Sequence, residues 1–209
     1  MSAPTLALPP AGGTGGGLEA RPGRRSSTKS EQGILPLAAT LAVAAAIAVM
    51  GGLVGAYLAL KAATGTWPPE GTEFDRYTAT TLVITVLMAM VTVEWAAYGI
   101  RKAFRGQSLF GFAITGGLGI AHLNGLAYLV SRFAFGAGDS PYATVVYALC
   151  AVAFLVGFLA VAAVVLTGLR AAGHQLGTDN YALMRATAIL WHAAAIAWIV
   201  AYYTIYVTK

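Results

Sequence analysis

The chain has 209 residues, of which 58% are hydrophobic and 10% charged, with a net charge of +5. A soluble domain carries about 25% charged residues, so a soluble globular fold is excluded and the long uncharged runs indicate a polytopic membrane protein. The single cysteine, Cys150, excludes an intrachain disulfide and CxxC redox or zinc chemistry, and the basic excess belongs to loops at one membrane face rather than to nucleic-acid binding.

Residues 1–33 are Gly/Pro/Ser-rich, AGGTGGG followed by RPGRRSSTKSEQ, and are expected to be a disordered basic arm. No apolar segment precedes a small-residue cleavage site, so the arm does not read as a signal peptide. Arg21, Arg24, Arg25 and Lys29 set orientation and can reach anionic headgroups.

Residues 34–209 are predicted to be one all-α bundle of five transmembrane helices, at 34–60, 77–100, 109–133, 142–169 and 183–207. The connections are short and leave no room for an extramembrane catalytic domain. Arg21, Arg24, Arg25, Lys29, Arg101, Lys102, Arg105, Arg170 and Arg185 fall on one side of the membrane, against Lys61, Arg76, Arg132 and Lys209 on the other. This bias places the N-terminus in the cytoplasm and the C-terminus outside, with Glu70, Glu73, Asp75 and Asp139 on the outer face. Trp67, Tyr77, Tyr142, Tyr203 and Tyr206 are expected as an outer aromatic belt, and Trp95, Tyr98, Phe104 and Tyr181 as an inner one. Gly51 and Gly55 in the first span, and Gly117, Ala121 and Gly125 in the third, are small-residue patterns expected to bring helices into close contact.

Four polar side chains within the spans are the candidate buried polar groups: Glu94, His122, Asn124 and His192. Glu94 lies seven residues before Arg101 and His192 seven after Arg185, so both sit about 10 Å inward of a cytoplasmic arginine. They form a structural pair if spans two and five are neighbours. A heme held between His122 and His192 would have axial ligands about 10 Å apart in depth, so neither heme nor metal is assigned to this chain. His122 is expected to be an interhelical donor and Cys150 a small apolar filler. No nucleotide-binding loop, nucleophile elbow, HExxH or EF-hand spacing is present, so no catalytic residue is assigned.

Two stretches, DSPYATVVYALCAVAFLVGFLAVAAVVLTGLR and LWHAAAIAWIVAYYTIYVTK, resemble the C-terminal half of heme-copper (cytochrome c) oxidase subunit III. The final helix of that family opens on an aromatic-Trp-His run, carries a Trp seven residues later and ends in a Tyr. Trp191-His192, Trp198 and Tyr206 occupy those places here. GAYLALKAATGTWPPEGTEFDRY, with Trp67 in its Trp-Pro-Pro, is similar to the first connection of the five-helix bacterial form, and Ala127-Tyr128 to a position in span three. The resemblance covers about residues 45–209. Where the family buries polar groups, this chain has Ala46, Leu129, Ala153, Val156 and Ala195, an apolar scaffold without most of that network.

The resemblance implies an accessory membrane subunit of a respiratory oxidase in a bacterial inner membrane. It would pack on the catalytic subunit, hold membrane lipids between its spans and leave heme and copper to partner subunits. The residues themselves leave open a small channel or transporter with Glu94, His122, Asn124 and His192 lining a path. A subunit III-like component of another membrane complex, such as nitric oxide reductase, remains the further alternative.

Overall fold

A computed structural model of the chain describes residues 29–69, 72, 74–176 and 181–208, with side chains from Gly33 onward. The basic arm up to residue 28, together with Glu70, Glu73 and Lys209, lies outside the described residues. Five helices follow one another: α1 (Lys29–Ala63), α2 (Arg76–Arg101), α3 (Arg105–Ser131), α4 (Pro141–Ala172) and α5 (Ala182–Tyr202). A π-helical turn, Tyr203–Val207, ends the last. All five are long and apolar enough to cross a membrane, and no strand occurs among the described residues. The chain is a multi-pass all-α membrane protein. Its helix ends fall close to the expected spans, except that α1 starts at Lys29, inside the stretch read as the arm.

Local signals set several helix ends. Asp75 caps α2, its carboxylate accepting from the Thr78 N–H at 3.0 Å. That carboxyl is held below the ordinary carboxylate range, first by the hydrogen bond from the Thr78 side chain. Ser140 caps α4 by accepting from the Ala143 N–H at 3.1 Å, with Pro141 at the first helical position, where it lacks only an orphan donor.

At the opposite end of the bundle α2 closes with the Phe104 N–H on the Gly99 carbonyl (2.8 Å) and the Ala103 N–H on the Ile100 carbonyl (3.1 Å). α4 closes the same way through Gln175 to Arg170 and His174 to Ala171. Both are Schellman closures, and both place a non-glycine residue in the left-handed region, Ala103 at φ 59° and His174 at φ 58°. Ala103→Gly is therefore expected to raise stability by up to about 1 kcal/mol, because glycine carries no Cβ penalty there. Thermal unfolding in detergent measures it, and an unchanged or lower midpoint refutes it.

The helices do not share burial equally. α5 packs on α1, α2 and α4 and has 50% of its apolar window inside the bundle, against 11% for α1. Two core clusters stack along the bundle. One, at the Asp75 end, gathers Tyr57, Leu82, Leu126, Tyr142, Leu149, Trp198, Ile205 and Tyr206. The other, towards the Arg101 end, gathers Val93, Phe112, Val161, Met184 and Trp191.

Two packing expectations are corrected. Gly51, Gly55 and Gly117 face open space rather than a neighbouring helix, and Ala121 is exposed. Close approach occurs at Gly99, Gly111, Gly119 and Gly125, where an added Cβ would meet Ser108, Ala96, Trp191 and Leu82. Helical phase decides this, since a glycine permits contact only on the face that meets another helix. The outer aromatic belt is also corrected. Tyr77 and Tyr203 are exposed, but Tyr142 and Tyr206 are buried in an aromatic cluster where Trp67 meets Tyr57 and Tyr142 edge-on at 4.9 and 4.8 Å. Edge-to-face packing of these rings consumes the faces a belt would present to lipid.

Candidate functional site

The residues that could act on a ligand converge at the Arg101 end of the bundle. Glu94 and Arg101 are two helical turns apart on one face of α2. Tyr181, Arg185, Ala188, His192 and Ile196 recur at helical spacing on one face of α5. The two faces meet, with Val43 of α1 across from them, around a groove of about 460 Å³.

Within the groove, His192 Nδ1 lies 2.7 Å from the Ala188 carbonyl. A carbonyl can only accept, so Nδ1 carries the proton and Nε2 is turned to Glu94. Glu94 Oε1 lies 3.8 Å from Nε2, an ionic contact longer than a hydrogen bond, with the two side chains 39% (His192) and 49% (Glu94) exposed. The contact is attractive in the imidazolium form, because only then does Nε2 bear a hydrogen. Spans two and five are neighbours, but the two side chains stand farther apart than a hydrogen bond and Glu94, expected to be buried, is exposed.

The arginines occupy the groove mouth. The Arg101 guanidinium stands 5.6 Å from the centre of the Tyr181 ring, a cation–π arrangement. Burial pushes the Tyr181 hydroxyl above the ordinary tyrosine range, Arg101 pulls it back, and Glu94 and Arg185 act on it in opposite senses. Among the described residues the Glu94–His192 contact is the one ion pair, so neither arginine is neutralised by a carboxylate there.

The other candidates stand apart from this groove. His122 is buried, with its ring hydrogen-bonded to the Leu82 backbone, edge-on to Trp198 at 5.8 Å, and its Nδ1 without a partner. Trp198 lies about 9 Å along α5 from His192, so the two histidines occupy different core layers. Asn124, expected inside the bundle, is exposed on the outer face of α3. The reason is angular: two residues along a helix is a turn of about 200°, so burying His122 puts Asn124 outward. The four polar candidates form one pair, one buried histidine and one outward amide, and do not line a common path.

Trp191, Trp198 and Tyr206 are fully buried packing residues, and the Trp67 indole N–H donates to the Tyr57 hydroxyl at 3.2 Å. Tyr206 is also where the chain end is fastened. Its carbonyl accepts from Arg76 at 3.2 Å, and the carbonyl of Thr208 accepts from Lys61. Cations from α1 and α2 thus satisfy carbonyls that α5 leaves open.

Sequence reasoning missed the interhelical threonine pairs. Thr92 and Thr115 join α2 to α3 at 2.8 Å, and Thr167 and Thr187 join α4 to α5 at 2.7 Å. Each also bonds to a carbonyl in its own preceding turn, such as Thr115 to Gly111 at 2.8 Å. That back-bonding lets threonine sit in an apolar run unnoticed. The available signal was a threonine on the same helical face as the buried alanines and valines. Leu129, Ala153, Val156 and Ala195 are buried and Ala46 packs at the margin of the inner core. No group of three or more His, Cys, Asp or Glu able to hold a metal occurs among the described residues.

Comparison with known proteins places this architecture. The profile of the family described as cytochrome c oxidase subunit III matches residues 45–209. Cytochrome c oxidase subunit 3 of Thermostichus vulcanus is 26% identical over 163 residues, covering 76% of this chain and 80% of the relative.

Proposed function

Because the chain belongs to the cytochrome c oxidase subunit III family, we propose that it is a non-redox accessory subunit of a respiratory heme-copper oxidase. It supports the catalytic subunit during electron transfer to oxygen, and heme and copper reside in partner chains. It lies in a bacterial inner membrane with its N-terminus and the Arg101 end in the cytoplasm, in keeping with the distribution of basic residues.

The observation that carries this reading is the outward face of α1. Among the described residues, no atom of a neighbouring helix or loop lies within contact distance of a Cβ added at Gly51, Gly52 or Gly55, although the helix that bears them is long and apolar. Small residues in a membrane helix permit backbone-to-backbone approach by another helix, and none of the described helices uses them. The apolar residues standing where the family is polar support a packing role over a chemical one.

Purification in mild detergent, with identification of co-purifying chains, tests the proposal. A heme-copper catalytic subunit is expected in stoichiometric amount. Gly51→Leu/Gly55→Leu should release it while leaving the thermal midpoint of the isolated chain unchanged. Recovery as a lone homo-oligomer, or a stoichiometric Soret band in the isolated chain, overturns the reading.

A further inference from the structure

We propose that the outward face of α3 is a homodimer interface, where two copies of the chain pair within the membrane about a twofold axis at Asn124. The inference rests on the membrane-spanning bundle alone and does not depend on which subunit meets α1.

Asn124 is exposed on α3, and among the described residues its side chain makes no hydrogen bond. It lies six residues from the midpoint of the helix Arg105–Ser131, about 9 Å along the axis. A hydrocarbon core centred on that helix reaches ~15 Å to either side, so the amide stands inside it. With a single methylene, asparagine cannot carry its polar group out to the headgroups as lysine and arginine do. An amide left in hydrocarbon without a partner is costly, so a polar group from outside this chain is needed to meet it.

The residues around Asn124 identify a helix as the source of that group. Phe110, Ile114, Gly117, Ala121, Asn124 and Tyr128 follow one another at alternating spacings of four and three, and all are exposed except the half-buried Ile114. This is a heptad seam, along which a second membrane helix can run at a crossing angle of about 20°. One asparagine at a core position of such a seam fixes register and helix number. Three features select a second copy as the occupant. Copies of one sequence insert in the same orientation, so Asn124 meets its twin at equal depth with no further adjustment. A carboxamide both donates and accepts, so twofold-related amides exchange reciprocal hydrogen bonds, the self-complementary contact that an isologous interface requires. Between Arg105 and Arg132 the helix carries no charge, so its face offers no electrostatic match to a different chain. Since α3 packs on α2 and α4, and α1 on α4 and α5, this seam and the glycine face of α1 can be occupied together.

Cross-linking and single-molecule counting in vesicles of the native membrane, with partner subunits present, test the proposal. The native Cys150 is buried and out of an oxidant's reach. Ala121→Cys should therefore give disulfide-linked dimers of the chain under copper-phenanthroline, whereas Phe158→Cys, at an exposed site on α4, should not. Photobleaching of the fluorescently tagged chain should count dimers for wild type and for Asn124→Gln, which keeps an amide on the seam. Asn124→Leu should weaken the association about tenfold, equivalent to about 1.4 kcal/mol, the scale of polar contacts between membrane helices. Because Asn124 faces outward, that variant should keep the parent's thermal midpoint in detergent at one chain per micelle, so a lost dimer is distinguished from a lost fold.

Cross-linking at Phe158 as efficient as at Ala121, or undiminished dimers in Asn124→Leu, overturns the proposal. Release of a different subunit by Asn124→Leu also overturns it, by giving this face to that chain. Co-purification of the catalytic subunit is scored on the same membranes. A single copy of the chain in an assembled oxidase therefore sinks the dimer and leaves the subunit assignment standing.

Discussion

Trp198→Ala is expected to destabilise the bundle by roughly 3–5 kcal/mol, the largest effect of any single truncation here. Trp198 is fully buried in α5, the helix that touches α1, α2 and α4, and it stacks edge-on against His122 of α3. Its side chain therefore fills space shared by most of the bundle. In a membrane the unfolded reference is already in lipid, so part of the usual transfer penalty is absent. The loss comes from the cavity and its forfeited dispersion contacts, which favours the lower end of that range. The indole N–H has no hydrogen-bond partner among the described residues, so no such bond is lost with it. Trp198→Phe keeps most of the volume and should cost much less. Denaturant titration in mixed micelles separates the two, and a cost under about 1 kcal/mol for the alanine variant contradicts this view of the core.

Gly111→Val should be strongly damaging, at or above the ~1–3 kcal/mol typical of overpacking. A Cβ at Gly111 would lie 2.8 Å from the Ala96 Cβ, 3.0 Å from its Cα and 3.1 Å from its backbone nitrogen. Two of those three atoms are backbone, so no rotamer change relieves the clash and α2 and α3 must separate. Separation would also lengthen the Thr92–Thr115 hydrogen bond, which joins the same two helices at the next turn of α3. Gly117→Val is the control, because nothing lies within 4 Å of its added Cβ. That variant should stay within about 0.5 kcal/mol of the parent in the isolated chain. Equal midpoints for the two variants would show that α2 and α3 do not meet at Gly111.

These two positions also show where sequence reading runs out. Spacing favours Gly51, Gly55 and Gly117 over Gly111, because it identifies a smooth stripe without saying whether another helix covers it. Asn124 and His122 are alike in sequence, both polar at mid-span, yet a rotation of about 200° separates them. The threonine pairs hid because their hydroxyls satisfy themselves within their own helices. Glu94 and His192 were matched correctly by depth, since distance along a helix is fixed by residue count alone.

What the sequence determined by itself was everything governed by the bilayer and by position along the chain. The five spans and their approximate ends follow from runs of apolar residues, because backbone polar groups in lipid must be satisfied within a helix. The family resemblance followed from the order of Trp67, Trp191, His192, Trp198 and Tyr206. The tertiary structure alone decided rotation and neighbourhood: α5 as the most buried helix, Tyr142 and Tyr206 inside rather than at the belt, α1 packed on α4 and α5 with its glycines turned away from them, and two arginines from different helices facing one groove. In lipid, hydrophobicity does not distinguish the inside of a bundle from the outside. The angular placement of each helix is therefore set by close packing and a few polar contacts, which are pairwise and only weakly written in either partner's sequence.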